Sequence, residues 1–205
     1  MNYPEFQESS SKKKRMAIVS EEVIKDGFIR VTQPLSLYNN FDGIPDQVLQ
    51  NACARGTKVH RLAELHALGE YFPDPADDSF GYLNSFRRWF DMYVDECILI
   101  EKRLYADVSK ITGAIDLVCT IRGSQEHVIV DYKTPATPSK TWPLQLAAYQ
   151  YLYNSIKPSD QKTATRRIAL RLRKDGKPPI IHEYTSESDL DLYCSALKIW
   201  RYFNN

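Results

Sequence analysis

The sequence predicts an α/β (α+β) fold in which helices flank a mixed central β-sheet. Three observations support this prediction. Apolar residues recur at helical spacing in the first half of the chain, three β-branched runs follow between residues 97 and 134, and a helix, a hairpin and a helix complete the chain. This order of elements is typical of a sheet covered by helices.

The length and composition predict one globular domain. The chain has 205 residues, of which 43% are hydrophobic and 26% charged, as in ordinary soluble proteins. We place the domain at residues 17–205, with a helical part at about 41–96 and the sheet with its helices at about 97–205. Residues 1–16, which contain the run KKKR, are predicted to be a flexible basic tail.

Hydropathy and charge limit the cellular compartments and the binding partners that the sequence predicts. No apolar run approaches the roughly 18 to 20 residues of a membrane span, and the polar start MNYPEFQESSSKKKR lacks the apolar segment of a secretory signal. We therefore expect a cytoplasmic protein without a membrane partner. The net charge of +1 does not by itself indicate nucleic-acid binding. Basic residues do cluster between 166 and 177, which fits either a phosphate-binding face or a solvated surface.

The first elements are a short strand and two helical stretches. GFIRVTQPLSLY, at 27–38, predicts a short extended segment that ends at Pro34. Residues 41–72 have helical periodicity with Pro45 in the first turn, and Gly56 marks the point at which this stretch could divide into two helices.

A second helix is predicted from Ser79 to about Val94, after a polar loop that contains prolines. Its predicted apolar face consists of Phe80, Leu83, Phe86, Phe90 and Tyr93. Two interpretations of its aromatic residues stay open. Trp89 and Phe90, next to Arg87 and Arg88, could stack on nucleic-acid bases, or they could belong to the core.

The second half of the chain supplies the sheet. CILIEKRLYA, ITGAIDLVCTI and EHVIVDYKT predict three neighbouring strands, the last two forming a hairpin around Gly123 and Ser124. TWPLQLAAYQYLYN predicts a helix with Thr141 as its cap. RRIALRLRKDGKPPIIHEYT predicts a second hairpin around an Asp-Gly turn, and SESDLDLYCSALKIWRYF a final capped helix.

Acidic residues interrupt the first hairpin where a buried strand would carry apolar ones. If the turn lies at Gly123 and Ser124, Asp116 and Asp131 face each other across the two strands. Two buried carboxylates side by side repel each other, and a divalent metal between them removes the conflict. Lys133 follows Asp131 by two positions, so both side chains point to the same face of the strand.

Two carboxylates and an ammonium on one face suit the hydrolysis of a phosphodiester. Hard oxygen ligands select Mg²⁺ or Mn²⁺, which activates water and draws charge from the phosphate, while the lysine orients the water or stabilises developing charge. The alternative is a surface hairpin with an ordinary Asp-Lys pair, which would contribute little to stability.

Four short motifs together resemble the PD-(D/E)XK nuclease superfamily, in particular its RecB-like exonuclease branch. They are GTKVH at 56–60, GAID at 113–116, DYK at 131–133 and QLAAY at 145–149, and the resemblance covers roughly residues 27–203. The layout is similar to that of phage-type single-domain exonucleases and of the mitochondrial genome maintenance exonuclease. It implies a restriction-endonuclease-like core, and it implies that the N-terminal helical part forms a wall of a DNA channel.

The resemblance implies a role for each matching residue. Asp116, Asp131 and Lys133 would be catalytic, and one or two Mg²⁺ or Mn²⁺ ions would be bound by His60, Asp116, Asp131 and the backbone carbonyl of Tyr132. Glu64, one helical turn after His60, is a second-metal candidate or an ordinary helix salt bridge, and Glu101 is a weaker candidate of the same kind. DNA contacts are expected from Gln145, Tyr149, Trp142, Arg87 and Arg88.

The cysteines depart from one branch of the family. RecB-like nucleases with an iron–sulfur cluster place one cysteine before the histidine motif and three near the C-terminus, whereas here Cys53 is followed by only Cys194 in those regions. We therefore expect no cluster.

Taken together, the motifs predict a metal-dependent deoxyribonuclease. The expected activity is an exonuclease on DNA ends, single-stranded or duplex, in recombination, repair or phage DNA processing, with a single-strand annealing or recombination protein as a further partner. The alternatives are a structure-specific endonuclease of the same fold and a catalytically silent nucleic-acid-binding module.

Overall fold

The fold is an α/β/α sandwich around a six-stranded mixed sheet, which confirms the predicted class. A computed structural model describes residues 24–39 and 43–204, so the predicted tail at 1–16 lies outside the described residues. In chain order the elements are β1 (Ile29–Arg30), a 3₁₀ turn (Ser36–Tyr38), α1 (Asp46–Ala67), α2 (Ser79–Tyr93), β2 (Val94–Ala106), β3 (Ile111–Ile121), β4 (His127–Lys133), α3 (Trp142–Ile156), β5 (Ala164–Arg171), β6 (Ile180–Glu183) and α4 (Ser188–Asn204).

The central strand is β3, and its neighbours leave a gap on one side. Strand β2 pairs antiparallel with β3 along most of its length, whereas β1 and β4 share the opposite side of β3. There β1 pairs with Ile111 and Thr112, and the β4 ladder begins at Leu117. No described strand pairs with residues 113–116 on that side. Parallel β5 and antiparallel β6 then extend the sheet beyond β4.

Both predicted hairpins form in the expected register. Leu117 pairs with Val130, so the next step of the same register sets Asp116 opposite Asp131. In the second hairpin Arg171 pairs with Ile180, which centres the register on the Asp-Gly turn, but eight residues connect β5 and β6 instead of a tight turn. The ladder ends early because these eight residues pack against α2, as described below.

Two details of the helices differ from the sequence prediction. Helix α1 is continuous through Gly56, since the packing of one face outweighs the weak helix preference of a single glycine. In α2 the buried apolar residues are Tyr82, Leu83, Phe86 and Trp89, whereas Phe80 and Tyr93 are exposed. The buried stripe is therefore rotated relative to the predicted one, and it includes the tryptophan.

Two cores lie on opposite faces of the sheet. Helices α3 and α4 cover one face, and α1 and α2 cover the other. Residues that alternate along β3 and β4 enter the two cores in turn, for example Ile129 and Val130. Across the described ranges, no helix combines the length and apolar character that a membrane crossing requires.

Two helical glycines provide a matched test of this packing. A Cβ atom on Gly81 of α2 would overlap the backbone carbonyl oxygen of Lys174, whereas one on Gly56 of α1 would meet only Thr134 Oγ1, at 3.9 Å. We expect Gly81→Ala to lower the free energy of unfolding by about 1–3 kcal/mol through overpacking. Gly56→Ala should raise it by about 0.4–1 kcal/mol. Urea unfolding measures both, and an equal or more stable Gly81→Ala variant would contradict this packing.

Candidate metal centre and active site

A compact group of metal-ligand side chains lies where α1 crosses β2 and β3. His60 Nδ1 is 3.3 Å from Glu101 Oε1 and 3.4 Å from Asp116 Oδ1. The three ligand atoms all lie within 4.8 Å of one another, and this is the only such group among residues 24–39 and 43–204. Each residue comes from a different element, so only the folded chain assembles the group.

Glu101 reaches the group through an unusual backbone conformation. It lies between the pairs Ile100–Leu117 and Lys102–Ile115, so β2 sets it opposite Asp116. Its φ angle is +41°, in the left-handed region that a side chain other than glycine rarely adopts. Such a conformation costs of the order of 1 kcal/mol, and strain of this kind is concentrated at functional sites. No feature of the sequence predicts this backbone conformation. The spacing from His60 therefore favours Glu64 over Glu101 as a ligand candidate.

The side chain of Asp116 lies in the gap of the β3 ladder and contacts the backbone of β4. Its Oδ2 accepts a hydrogen bond from the backbone N–H of Tyr132 at 2.6 Å, which continues the pairing of β3 and β4. The carbonyl oxygen of Tyr132 lies 3.1 Å from His60 Nε2. The carbonyl expected to bind metal therefore lies beside the histidine of the group.

The glycine of the GAID motif is required by a close approach. A Cβ atom on Gly113 would lie 2.6 Å from Cε1 of the Tyr149 ring. Tyr149 is itself buried against the sheet. The motif thus combines a small residue that admits the tyrosine with an aspartate, three positions later, that enters the site.

Asp131 and Lys133 form a second, adjoining network. Lys133 Nζ is 2.5 Å from Asp131 Oδ2 and donates a hydrogen bond to Gln145 Oε1 at 2.9 Å. Gln145 Nε2 donates to Asp131 Oδ1 at 3.2 Å and to the Tyr149 hydroxyl at 3.1 Å. The structure therefore brings together the four expected site residues of this network, Asp131, Lys133, Gln145 and Tyr149, and it holds the lysine from two sides. Asp131 does not belong to the His60 group.

Burial and charge perturb the acid–base groups of the site. Burial raises the pKa of Glu101 to about 7, and the charge of Asp116 acts in the same direction. Burial also raises the pKa of Asp131 to about 6, although Lys133 acts against it. Burial alone would lower the pKa of His60, but the negative charges of Asp116 and Glu101 outweigh it and raise that pKa well above its ordinary value. Perturbed groups of this kind concentrate at functional sites.

The donor set fits a hard divalent cation. His60, Glu101 and Asp116 offer two carboxylates and one imidazole, without a thiolate. The Tyr132 carbonyl contacts the other ring nitrogen of His60, so its binding to the metal stays a prediction. Glu101 Oε1 is buried and accepts no hydrogen bond of good geometry from the described residues, although His60 lies close. A buried carboxylate oxygen without a donor is costly, and a cation would satisfy it.

Two of the expected site residues have other roles in the structure. Glu64 Oε2 pairs with Arg61 Nη1 at 2.6 Å, three residues away on the same helix, and lies outside the group around His60. Trp142 is buried, with 4% of its surface exposed, and its contact with DNA stays a prediction. Its ring lies 5.8 Å from Lys133 Nζ and packs against His182, so it borders the lysine.

The arginines expected to contact DNA lie on α2. Arg87 pairs with Asp74 at 2.8 Å and lies over the Phe72 ring, and Arg88 is exposed. Both line a surface pocket with Pro178 and Pro179. Their DNA contacts stay a prediction. Trp89 is buried in the core, which decides between the two interpretations of this residue.

Replacing each glutamate with glutamine separates the two candidate ligands. Glu101→Gln should weaken Mn²⁺ binding at least about tenfold, because the amide removes a charged oxygen from the His60 group; loss even of an outer partner costs 10–100-fold. Glu64→Gln should change the affinity less than about threefold, because an exposed i,i+3 pair contributes little. Titration calorimetry measures both, and the reverse order would identify Glu64 as the ligand.

Metal binding should release protons and weaken in acid. Glu101 has its pKa raised to about 7 and must lose its proton to bind a cation. The protonated fraction rises as the pH falls through this value, so the affinity should drop about tenfold between pH 8 and pH 6 from this group alone. His60 adds to the effect, because its pKa is also raised. Calorimetry in two buffers of different ionisation enthalpy counts the protons, and an affinity independent of pH would contradict this prediction.

One family of known proteins matches this chain. The model of a family described as the PD-(D/E)XK nuclease superfamily matches residues 80–199, more than half of the chain, including Asp116, Asp131 and Lys133 but not His60. A solved structure described as "Crystal structure of SSO0001" is 15% identical with a TM-score of 0.46, over 98% of this chain and 89% of that one. At this sequence identity and TM-score, the similarity supports no conclusion about this chain. No curated protein matches the chain.

Proposed function

Because the chain belongs to the PD-(D/E)XK nuclease superfamily, we propose that it is a deoxyribonuclease dependent on Mg²⁺ or Mn²⁺ that acts as an exonuclease on DNA ends. The observation that carries the proposal is the position of Lys133, whose ammonium is held between Asp131 and Gln145. This arrangement adjoins a group of buried ligands that suits a divalent cation. Nucleases of this superfamily use such metals.

Each residue of the site has its own role in hydrolysis. A divalent ion held by His60, Glu101 and Asp116 would supply Lewis-acid activation of water and neutralise charge on the phosphate. Lys133 Nζ orients the attacking water and stabilises negative charge that develops on the phosphate oxygens. Gln145 keeps the lysine in place, because its amide bonds both Lys133 and Asp131. The lysine is thus aligned before the substrate arrives, which is the main source of such stabilisation.

The exonuclease assignment is supported by the motifs. The histidine of α1 and the QLAAY motif of α3 resemble those of the RecB-like branch, and both contact the DYK motif here: His60 meets the Tyr132 carbonyl, and Gln145 meets Lys133. We extend the proposal to a cytoplasmic role in recombination, repair or phage DNA processing, together with a single-strand annealing or recombination protein.

Linear and circular DNA test the function directly. We expect end-labelled linear DNA to be degraded with Mg²⁺ or Mn²⁺ and not with EDTA, while covalently closed circular DNA stays intact. Cutting of the circle would indicate an endonuclease, and no cleavage of DNA under any metal would indicate a silent binding module. Single and double strands labelled at the 5′ or the 3′ end report the polarity, and RNA of the same sequence reports the sugar preference.

A further inference from the structure

A basic pocket of about 430 Å³ lies at the end of the sheet beside the catalytic lysine. Its walls come from α2, from the segment after β4 and from the connection between β5 and β6; among them are Tyr82, Thr134, Arg171, Arg173 and Lys174. Neither the motifs nor the mechanism uses these basic side chains. We define this set as the basic pocket.

The β5–β6 connection is fixed in place by specific packing. Gly81 of α2 lies directly against the Lys174 carbonyl and leaves no room for a Cβ atom. The buried hydroxyl of Ser85, also on α2, accepts a hydrogen bond from the backbone N–H of Arg173 at 3.0 Å. On the sheet side, the Leu172 N–H donates to the Lys133 carbonyl at 2.8 Å. The basic side chains therefore project from a rigid support that is joined to the catalytic lysine.

Helix α1 connects the basic pocket to the metal group. Gly56 approaches Thr134, and Arg55 lies over the Tyr82 ring at 5.7 Å. His60 follows Gly56 by four residues, which is about 6 Å along the helix axis at 1.5 Å per residue. One helical turn of α1 therefore separates the residue that contacts the pocket lining from the histidine of the metal group, which allows one nucleic-acid strand to contact both.

The basic side chains of this pocket form only exposed ion pairs, which a phosphate could replace. Lys174 Nζ pairs with Asp78 at 2.6 Å and Arg173 Nη2 with Asp175 at 2.7 Å, and all four side chains are more than a third exposed. Exposed pairs of this kind contribute about 0–1 kcal/mol, so a phosphate can replace the carboxylates. Arg55 Nε is buried and has no hydrogen-bond partner in the described part of the chain. Around the cavity, basic side chains therefore outnumber carboxylates.

We propose that the basic pocket binds a backbone phosphate of the substrate DNA strand, close to the phosphate that is cleaved. Arg173 and Lys174 contact this phosphate, and Arg55 adds charge from α1. The proposal rests on the proposed nuclease function and extends it, because it assigns the path of the strand from the metal group along α1. The rigid support explains why the connection between β5 and β6 is longer than a tight turn.

The test measures the salt dependence of DNA binding, in EDTA so that no cleavage occurs. Fluorescence anisotropy with labelled single-stranded DNA gives the affinity of the full chain. Each phosphate contact contributes about 0.7 to the slope of log K against log salt for a single strand. Arg173→Gln and Lys174→Gln should each lower the slope by about 0.7, so that each variant binds about fivefold more weakly than the wild type at 0.1 M salt if the two bind equally at 1 M. Lys177→Gln, on the same connection but outside the pocket lining, should leave the slope unchanged.

Neutral methylphosphonate linkages then locate the contact. Replacing one phosphate at a time should identify a linkage, other than the cleaved one, whose neutralisation weakens binding to the wild type but not to Lys174→Gln. An unchanged slope in both variants would overturn the proposal and leave the nuclease function standing. An equal loss in Lys177→Gln would also overturn it, because the effect would then be diffuse. A wild type that neither binds nor cleaves DNA would instead refute the proposed function.

Discussion

Lys133→Ala is expected to lower the rate of DNA cleavage by at least about 10²–10³-fold while DNA binding changes little. One preorganised donor at the reacting group contributes a factor of this size. The structure supports the upper end, because Lys133 Nζ is held by both Asp131 and Gln145 and is only 15% exposed in its side chain. Binding should persist because most phosphate contacts lie elsewhere on the DNA.

Lys140→Ala is the matched control for this variant. Lys140 is exposed and lies seven residues further along the chain, in the segment before α3, so its removal should leave cleavage unchanged. Single-turnover cleavage of end-labelled DNA gives the rate, and anisotropy in EDTA gives the affinity. Full activity of Lys133→Ala would show that the catalytic group lies elsewhere.

The fold was largely predictable because its signals are local. The hairpin register around Gly123 and Ser124 follows from turn chemistry and strand alternation, and it sets Asp116 opposite Asp131 as expected. The rotation of the buried stripe of α2 was not predictable, because it depends on which side of the helix meets the sheet. Trp89 is buried for that reason, although it is flanked by two arginines.

Only the site residues that belong to sequence motifs could be predicted. His60, Asp116, Asp131, Lys133 and Gln145 belong to motifs whose order matches the family, and the structure brings them into two adjoining networks. The preference for Glu64 over Glu101 came from helical spacing. Spacing within a helix could not anticipate the left-handed backbone that turns Glu101 towards Asp116, because this geometry arises from pairing between strands.

The structure of the connection between β5 and β6 could not be predicted for a different reason. The Asp-Gly turn predicts a hairpin but not the contact of Gly81 with Lys174, which joins residues ninety-three positions apart. Long-range packing of this kind fixes the basic side chains beside Lys133. Sequence alone shows the charges of this region without the support that orients them.

Asp116→Asn is expected to remove metal binding and cleavage together. Asp116 is 5% exposed and contacts both His60 Nδ1 and the Tyr132 N–H. The amide removes one charged oxygen from the His60 group and places a donor beside His60 if its nitrogen points there. We expect Mn²⁺ affinity to fall at least about 100-fold, because the loss of a direct ligand should exceed the 10–100-fold cost of losing an outer partner. Cleavage should fall at least as far, since activation of water depends on the same ion.

Asp107→Asn separates this effect from a general loss of charge. Asp107 is exposed in the turn after β2 and pairs with Lys110 at 3.5 Å, so the same substitution there should change neither metal affinity nor rate. Because Asp116 also accepts the Tyr132 N–H, unfolding in urea must show that the variant is folded at the assay temperature. A folded Asp116→Asn variant that binds Mn²⁺ normally would place the ion outside the His60 group.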